Sequence, residues 1–362
     1  MLLGGHMMPM TRAAAKFVSL LLVLLAFSVA CRRESTREPE EPVQWPEVPG
    51  YAAMPIPADN PMTRAKVELG RQLYYDARLS GDGSRSCYSC HLQEYGLTDG
   101  LPKAVGAYNV ALPRRSPTLW NIGYHTEFYW DGRSGSLEAQ AKAAWTGGNM
   151  GVSGRDGRPS TEDICRNLMA IPGYARQFRA VFPGVGCTAD TVVQAIAAFE
   201  RTIVIPADSP WIRFRQGDTS ALSEEARRGW EIFSGKARCT NCHDGVLLTD
   251  LQYHNIGIGW DPRKKEMTDK GRFAVTGQER DIGAFKTPTL IDVARRTHFF
   301  HDGSVDSLEK AVDLMLAGGI PNPYLDTANL QPVKLTPQER SDLLAFLRAL
   351  NVEYSIQPPA LP

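Results

Sequence analysis

The sequence has no excess of either charge: Lys+Arg and Asp+Glu each number 40 in 362 residues. Without a net field, nothing draws the chain to nucleic acid or to an acidic surface. Beyond residue 30 there is no apolar run of 18 or more residues, so no membrane span is expected in the body. Strand signals are sparse, which points to a mainly α fold. Hydrophobic content of 43% and charged content of 22% are those of a globular protein, and the length allows two ordinary domains. Histidine and cysteine are scarce, at seven each, so their arrangement is informative.

Four of the seven cysteines fall into two copies of Cys-x-x-Cys-His: Cys87-Tyr88-Ser89-Cys90-His91 and Cys239-Thr240-Asn241-Cys242-His243. This is the attachment signature of c-type haem. The thiols add across the vinyl groups of the macrocycle, and the adjacent histidine becomes the proximal iron ligand. A zinc site built from all four thiolates would leave His91 and His243 idle. Thioredoxin-like redox motifs carry no trailing histidine. Two haem c groups are therefore expected, one per motif.

The N-terminus differs from the rest. Arg12 and Lys16 precede the apolar run 17–30, a charged segment followed by an export-signal core. Cys31 follows in Ser28-Val29-Ala30-Cys31, which resembles a bacterial lipoprotein processing box except for Ser28, where leucine is usual. The reading is an export signal over 1–30 and a lipid on Cys31; the alternative is ordinary cleavage near Ala30. Residues 31–60, rich in proline and glutamate, read as a tether, giving a periplasmic or cell-envelope location. Cys165 and Cys187 remain. In an oxidising compartment they suit a disulfide; two buried free thiols are the alternative.

The body repeats itself. Helical spacing over Lys66–Asp76 precedes the first haem motif, and the Ser223–Phe233 stretch precedes the second. An aromatic Asp-Gly turn followed by a helix occurs at Phe128-Tyr129-Trp130-Asp131-Gly132 and again at Phe299-Phe300-His301-Asp302-Gly303. The last strong element is Thr336–Leu350, with a capping box and proline at its first helical position. These signals predict two cytochrome c-type domains, over 61–205 and 206–362, each with one covalently bound haem.

In this order the pieces resemble the bacterial di-haem cytochrome c peroxidase/MauG family. The resemblance covers about 61–352. Its most specific matches are Leu69-Gly70-Arg71, Ser116-Pro117-Thr118-Leu119-Trp120-Asn121, Tyr129-Trp130-Asp131-Gly132-Arg133, Phe285-Lys286-Thr287-Pro288-Thr289-Leu290 and Gly318-Gly319-Ile320-Pro321-Asn322-Pro323. It implies an N-terminal haem that meets hydrogen peroxide and a C-terminal haem that takes electrons from a small periplasmic donor, a cytochrome c or a copper protein. It places Trp130 between the haems and retains Gln140 in the peroxide site. Met315 stands where the peroxidases carry the distal ligand of the second iron and MauG a tyrosine. A homodimer is compatible with the resemblance.

Three positions depart from the pattern. Asn149 lies nearest the family's acid–base glutamate; an amide orients peroxide but cannot shuttle its proton near neutral pH. Tyr108 stands where many members place a histidine that caps the peroxidatic haem, or else is a surface-loop aromatic. Arg115 replaces an asparagine that serves an interdomain calcium ion, and a guanidinium cannot ligate a cation, so the reading disfavours calcium. His301 is expected to bond a haem propionate or the backbone. His125, His254 and His298 are structural or exposed unless Met315 fails as ligand. The leading function is peroxide reduction; the alternatives are a MauG-like oxidase acting on a partner protein and an electron-transfer module without peroxide turnover.

Overall fold

The computed structural model describes residues 43–362, and Trp45–Pro362 form one compact unit. The expected export signal and the Cys31 anchor lie outside the described residues. Helices dominate: α1 (Arg64–Tyr75), α2 (Leu137–Thr146), α3 (Thr161–Met169), α4 (Pro172–Val181), α5 (Ala189–Glu200), α6 (Pro210–Arg215), α7 (Glu224–Ser234), α8 (Phe273–Thr276), α9 (Leu308–Leu316) and α10 (Pro337–Ala349). Sheet is confined to two short antiparallel ribbons, β1 (Tyr253–His254) with β4 (Phe285–Lys286) and β2 (Trp260–Asp261) with β3 (Glu266–Met267). Among the described residues no helix is long and apolar enough to cross a membrane.

The two halves build the same scaffold. In the first, α1 crosses α5 where Gly70 touches the partner backbone; a Cβ there would lie 1.8 Å from the Ala195 carbonyl oxygen. In the second, α7 crosses α10 at Gly229, where a Cβ would lie 2.0 Å from the Asp342 carbonyl oxygen. Side chains close each crossing: Tyr74 against Phe199 with ring centroids 5.1 Å apart, and Phe233 against Phe346 at 5.1 Å. Caps fix where the helices begin. Ser136 accepts from the Ala139 N–H at the start of α2, and Ser307 accepts from the Lys310 N–H at the start of α9. Thr336 and Glu339 form the capping box of α10.

The turns repeat as well. Tyr129 and Phe300 both adopt a left-handed backbone, followed by Gly132 and Gly303 with φ near +70° and +66°. Each turn is pinned by an antiparallel bridge, Phe128 to Ser134 and Phe299 to Val305. The halves are joined through the core. The Trp120 indole N–H donates to Asp292 Oδ2 at 2.8 Å, fully buried. Cys165 and Cys187 are joined as a disulfide with Cα atoms 5.4 Å apart, tying α3 to the segment before α5.

Candidate functional site: two cavities with a shared wall

Each Cys-x-x-Cys-His motif opens on a cavity. The first, about 700 Å³, is lined by Cys87, Cys90 and His91 together with Trp130, Gln140 and Asn149. The second, smaller at about 200 Å³ and more apolar, is lined by Cys239, Cys242, His243 and Met315. Arg115, Trp130 and His301 belong to the walls of both. All the sequence-predicted site residues but Tyr108 thus converge on two neighbouring chambers with a common partition.

The two motif histidines are oriented alike. His91 Nδ1 lies 3.1 Å from the Leu97 carbonyl oxygen, and His243 Nδ1 lies 3.1 Å from the Leu248 carbonyl oxygen. A carbonyl only accepts, so each Nδ1 carries the proton and each Nε2 keeps its lone pair for a metal. Leu97 and Leu248 hold left-handed φ of 60° and 53°, a strained conformation repeated where it aims a ligand. Burial lowers the pKa of both imidazoles, that of His243 to about 4, which favours the neutral ring that a metal would need. The four motif thiols are unpaired with one another. Burial pushes the Cys87 and Cys90 thiols up, and Cys239 up to about 12, so these sites do not stabilise thiolates for zinc. Neutral thiols beside an oriented imidazole and an open chamber suit thioether attachment of a macrocycle. Buried cations also stand ready for its carboxylates: Arg115 and Arg296 both line the second cavity, and the Nε of each is buried without a partner. The residues fit haem c at both motifs.

Trp130 is held at the partition. Its indole N–H donates to the Arg115 carbonyl at 2.9 Å, and its own carbonyl accepts from Lys286 N at 2.8 Å. Among the described residues the His301 ring has no hydrogen-bond partner; it stacks on Phe285 at 3.5 Å and 14°, while its carbonyl accepts from Arg115 N at 2.9 Å. Gln140 projects from α2 and Asn149 from the loop after it, a loop seated against Gly106, where a Cβ would lie 2.0 Å from the Gly148 carbonyl oxygen.

Tyr108 is not brought into the first cavity. It is 39% exposed, with a left-handed φ of 56°, and lies beneath the Arg158 guanidinium at 4.5 Å. Its backbone N–H donates to Asp82, an anchor for the loop that a distal ligand would not need. The spare histidines are settled too. His298 is half-buried and, like His125, lines neither chamber; His125 Nδ1 faces the Lys286 ammonium at 3.3 Å. His254 lines the second cavity near Cys242 and Asp250, but Asp250 and Asp326 engage both ring nitrogens at 2.9 and 2.6 Å. Asp250 foremost, then the Cys242 sulfur and Asp326, raise its pKa to about 11, which favours an imidazolium with no lone pair for a metal. Met315 brings a thioether sulfur to the lining of that chamber.

Two buried ionisable side chains escaped the sequence reading. Glu200, the last residue of α5, lines the first cavity at 5% exposure with Oε2 unpartnered; burial raises its pKa to about 8. The signal was local: it continues an apolar stripe through Val193 and Ile196, where a charge is out of place. Arg296 had no such signal, because its burial depends on distant segments.

A helical chain with two chambers, each offering a thiol pair and an oriented imidazole across a tryptophan wall, has the layout of a two-centre c-type redox protein. The family model for di-haem cytochrome c peroxidase matches residues 64–220. The methylamine utilization protein MauG of Methylorubrum extorquens is 39% identical over 315 residues, covering 86% of this chain and 85% of that one. The cytochrome-c peroxidase IdrP1 of Denitromonas iodatirespirans is 36% identical over 368 residues, covering 94% and 96%. A solved MauG-like protein associated with microbial copper homeostasis superposes with a TM-score of 0.76 at 31% identity, covering 86% of this chain and 96% of that one. The chain belongs to the di-haem cytochrome c peroxidase/MauG family and is an oxidoreductase.

Proposed function

We propose that the protein is an exported di-haem c-type peroxidase, tethered to a membrane through a lipid on Cys31. It reduces hydrogen peroxide to water with electrons from a small periplasmic donor, a cytochrome c or a copper protein. The supporting observation is the partition: Trp130 belongs to both chamber walls, so the residues that receive electrons and those that meet peroxide are separated by one indole. In this reading His91, Cys87 and Cys90 hold one haem and His243, Cys239, Cys242 and Met315 the other. When bound, the haems supply oxygen–oxygen cleavage at the first site and electron storage at the second. The chain's own work is to orient peroxide through the Gln140 and Asn149 amides, to fix both imidazoles through Nδ1, and to keep Trp130 at the partition. The disulfide supports an oxidising compartment.

Each peroxide consumes two electrons and two protons, and Asn149 offers none of the protons. That observation favours a second reading, a MauG-like oxidase that withdraws electrons from a partner protein and turns over peroxide slowly. Steady-state peroxide consumption with a reduced donor, started from the one-electron-reduced protein, tests both. We expect slow native turnover, raised roughly tenfold in Asn149→Glu, a modest part of what acid–base catalysis contributes. Turnover that stays equally slow in Asn149→Glu of a fully haem-loaded protein would overturn the peroxidase reading and leave the oxidase.

A further inference from the structure

Of the chain's four arginine doublets, two, Arg114-Arg115 and Arg295-Arg296, are split in the same way. One member is neutralised by carboxylates. Arg114 pairs with Asp131 and Asp269, both at 2.6 Å, and Arg295 pairs with Asp292 and Glu353, both at 3.2 Å. The other member is buried, Arg115 at 4% exposure and Arg296 at 8%, and among the described residues neither makes an ion pair. Their hydrogen bonds go to uncharged oxygens. Arg115 Nη2 donates to Thr98 Oγ1 at 3.1 Å, and Arg296 Nη2 donates to the carbonyls of Thr289 and Ile291 at 3.0 and 2.6 Å. The Nε of each is buried with no partner among the described residues.

This is a costly arrangement if nothing else arrives. An unpaired buried charge is expensive, and two of the same sign compound the cost. Burial lowers Arg115 to about 10, and burial together with the charge of Arg115 lowers Arg296 to about 9. Asp99 and Asp292 act on them only from a distance. Both arginines line the second cavity, and Arg115 also reaches the first. The group that Cys239 and Cys242 would carry there bears two carboxylates, equal in number to the unpaired guanidinium groups.

We propose that Arg115 and Arg296 form the anion clamp of the second cavity, fixing the carboxylates of its macrocycle and raising its reduction potential. The clamp rests on the di-haem reading above. Both arginines are positioning residues. A buried cation favours the reduced centre, which carries one positive charge fewer, so the same pair that holds the cofactor biases it towards accepting electrons.

The test is a spectroelectrochemical titration of the full-length, haem-loaded protein beside Arg296→Gln, Arg296→Lys and Arg115→Gln. In Arg296→Gln the potential of the second centre should fall by a tenfold change in its reduction equilibrium or more, about 59 mV for one electron, with the first centre unmoved. Arg296→Lys, which keeps the charge, should hold most of the parental value. Arg115→Gln should lower the second potential and also move the first, because Arg115 borders both chambers. Two bound haems with both potentials unmoved in the glutamine variants would overturn the clamp. If Arg296→Gln fails to load the second haem, normal loading of Arg296→Lys supports the clamp, and equal failure of both overturns it. A parent protein without two haems would instead bring down the di-haem reading.

Discussion

Glu200 is the residue with the plainest pH signature. It lies on the buried face of α5 beneath the first cavity, facing Tyr74 and Cys87, with Glu138 and Arg201 nearby. Desolvation is the main cause of its raised pKa, with Glu138 adding to it and Arg201 opposing. The folded protein therefore holds a proton that the unfolded chain releases near pH 4.5. Its contribution to stability is fully present below that value and is lost as pH rises through about 8. Glu200→Gln removes the dependence, so its unfolding midpoint should gain on the parent progressively from pH 5 to pH 9. A difference that stays constant over that range would show that Glu200 does not titrate with folding. At this scale the sequence showed what carries its own context. His91 and His243 are marked by the cysteines beside them, and Trp130 and Met315 by the motifs around them. The environments of Arg296 and Tyr108 are set by segments remote in sequence, and nothing adjacent announces whether such a side chain is buried or exposed.

At the scale of elements, the helix crossings hold each haem motif against its core. Gly229 is the contact point of α7 with α10, and an added methyl would lie 2.0 Å from the Asp342 carbonyl oxygen, a rigid backbone atom. Gly229→Ala must therefore push the helices apart, and the expected cost is about 1–3 kcal/mol, the usual penalty for overpacking. Chemical denaturation of the holoprotein measures it, and an unchanged midpoint would show that the crossing is looser than drawn. Both helices were readable before the fold was known, because their signals are local: the Ser223 cap, the Thr336–Glu339 box and the proline at the start of α10. The crossings were not. Gly70 and Gly229 read as ordinary helix glycines until a backbone from more than a hundred residues away is laid across them.

For the molecule as a whole, the repeat is the organising fact. The same order of crossing helix, thiol pair, imidazole locked to a left-handed leucine, and aromatic Asp-Gly turn occurs twice. The repetition was legible as sequence, and the resemblance already put Trp130 between the two centres; the parts that Arg115 and His301 take in the common wall were not, because they arise only when one half meets the other. Everything proposed for this protein depends on each chamber carrying its own covalently bound haem. The most direct test is a pyridine haemochrome count on protein denatured and extracted with acid acetone, which strips any haem not bound covalently. The account predicts two haems per chain, falling to one when Cys87 and Cys90 are both replaced by alanine. One haem or none in the parent protein would contradict it.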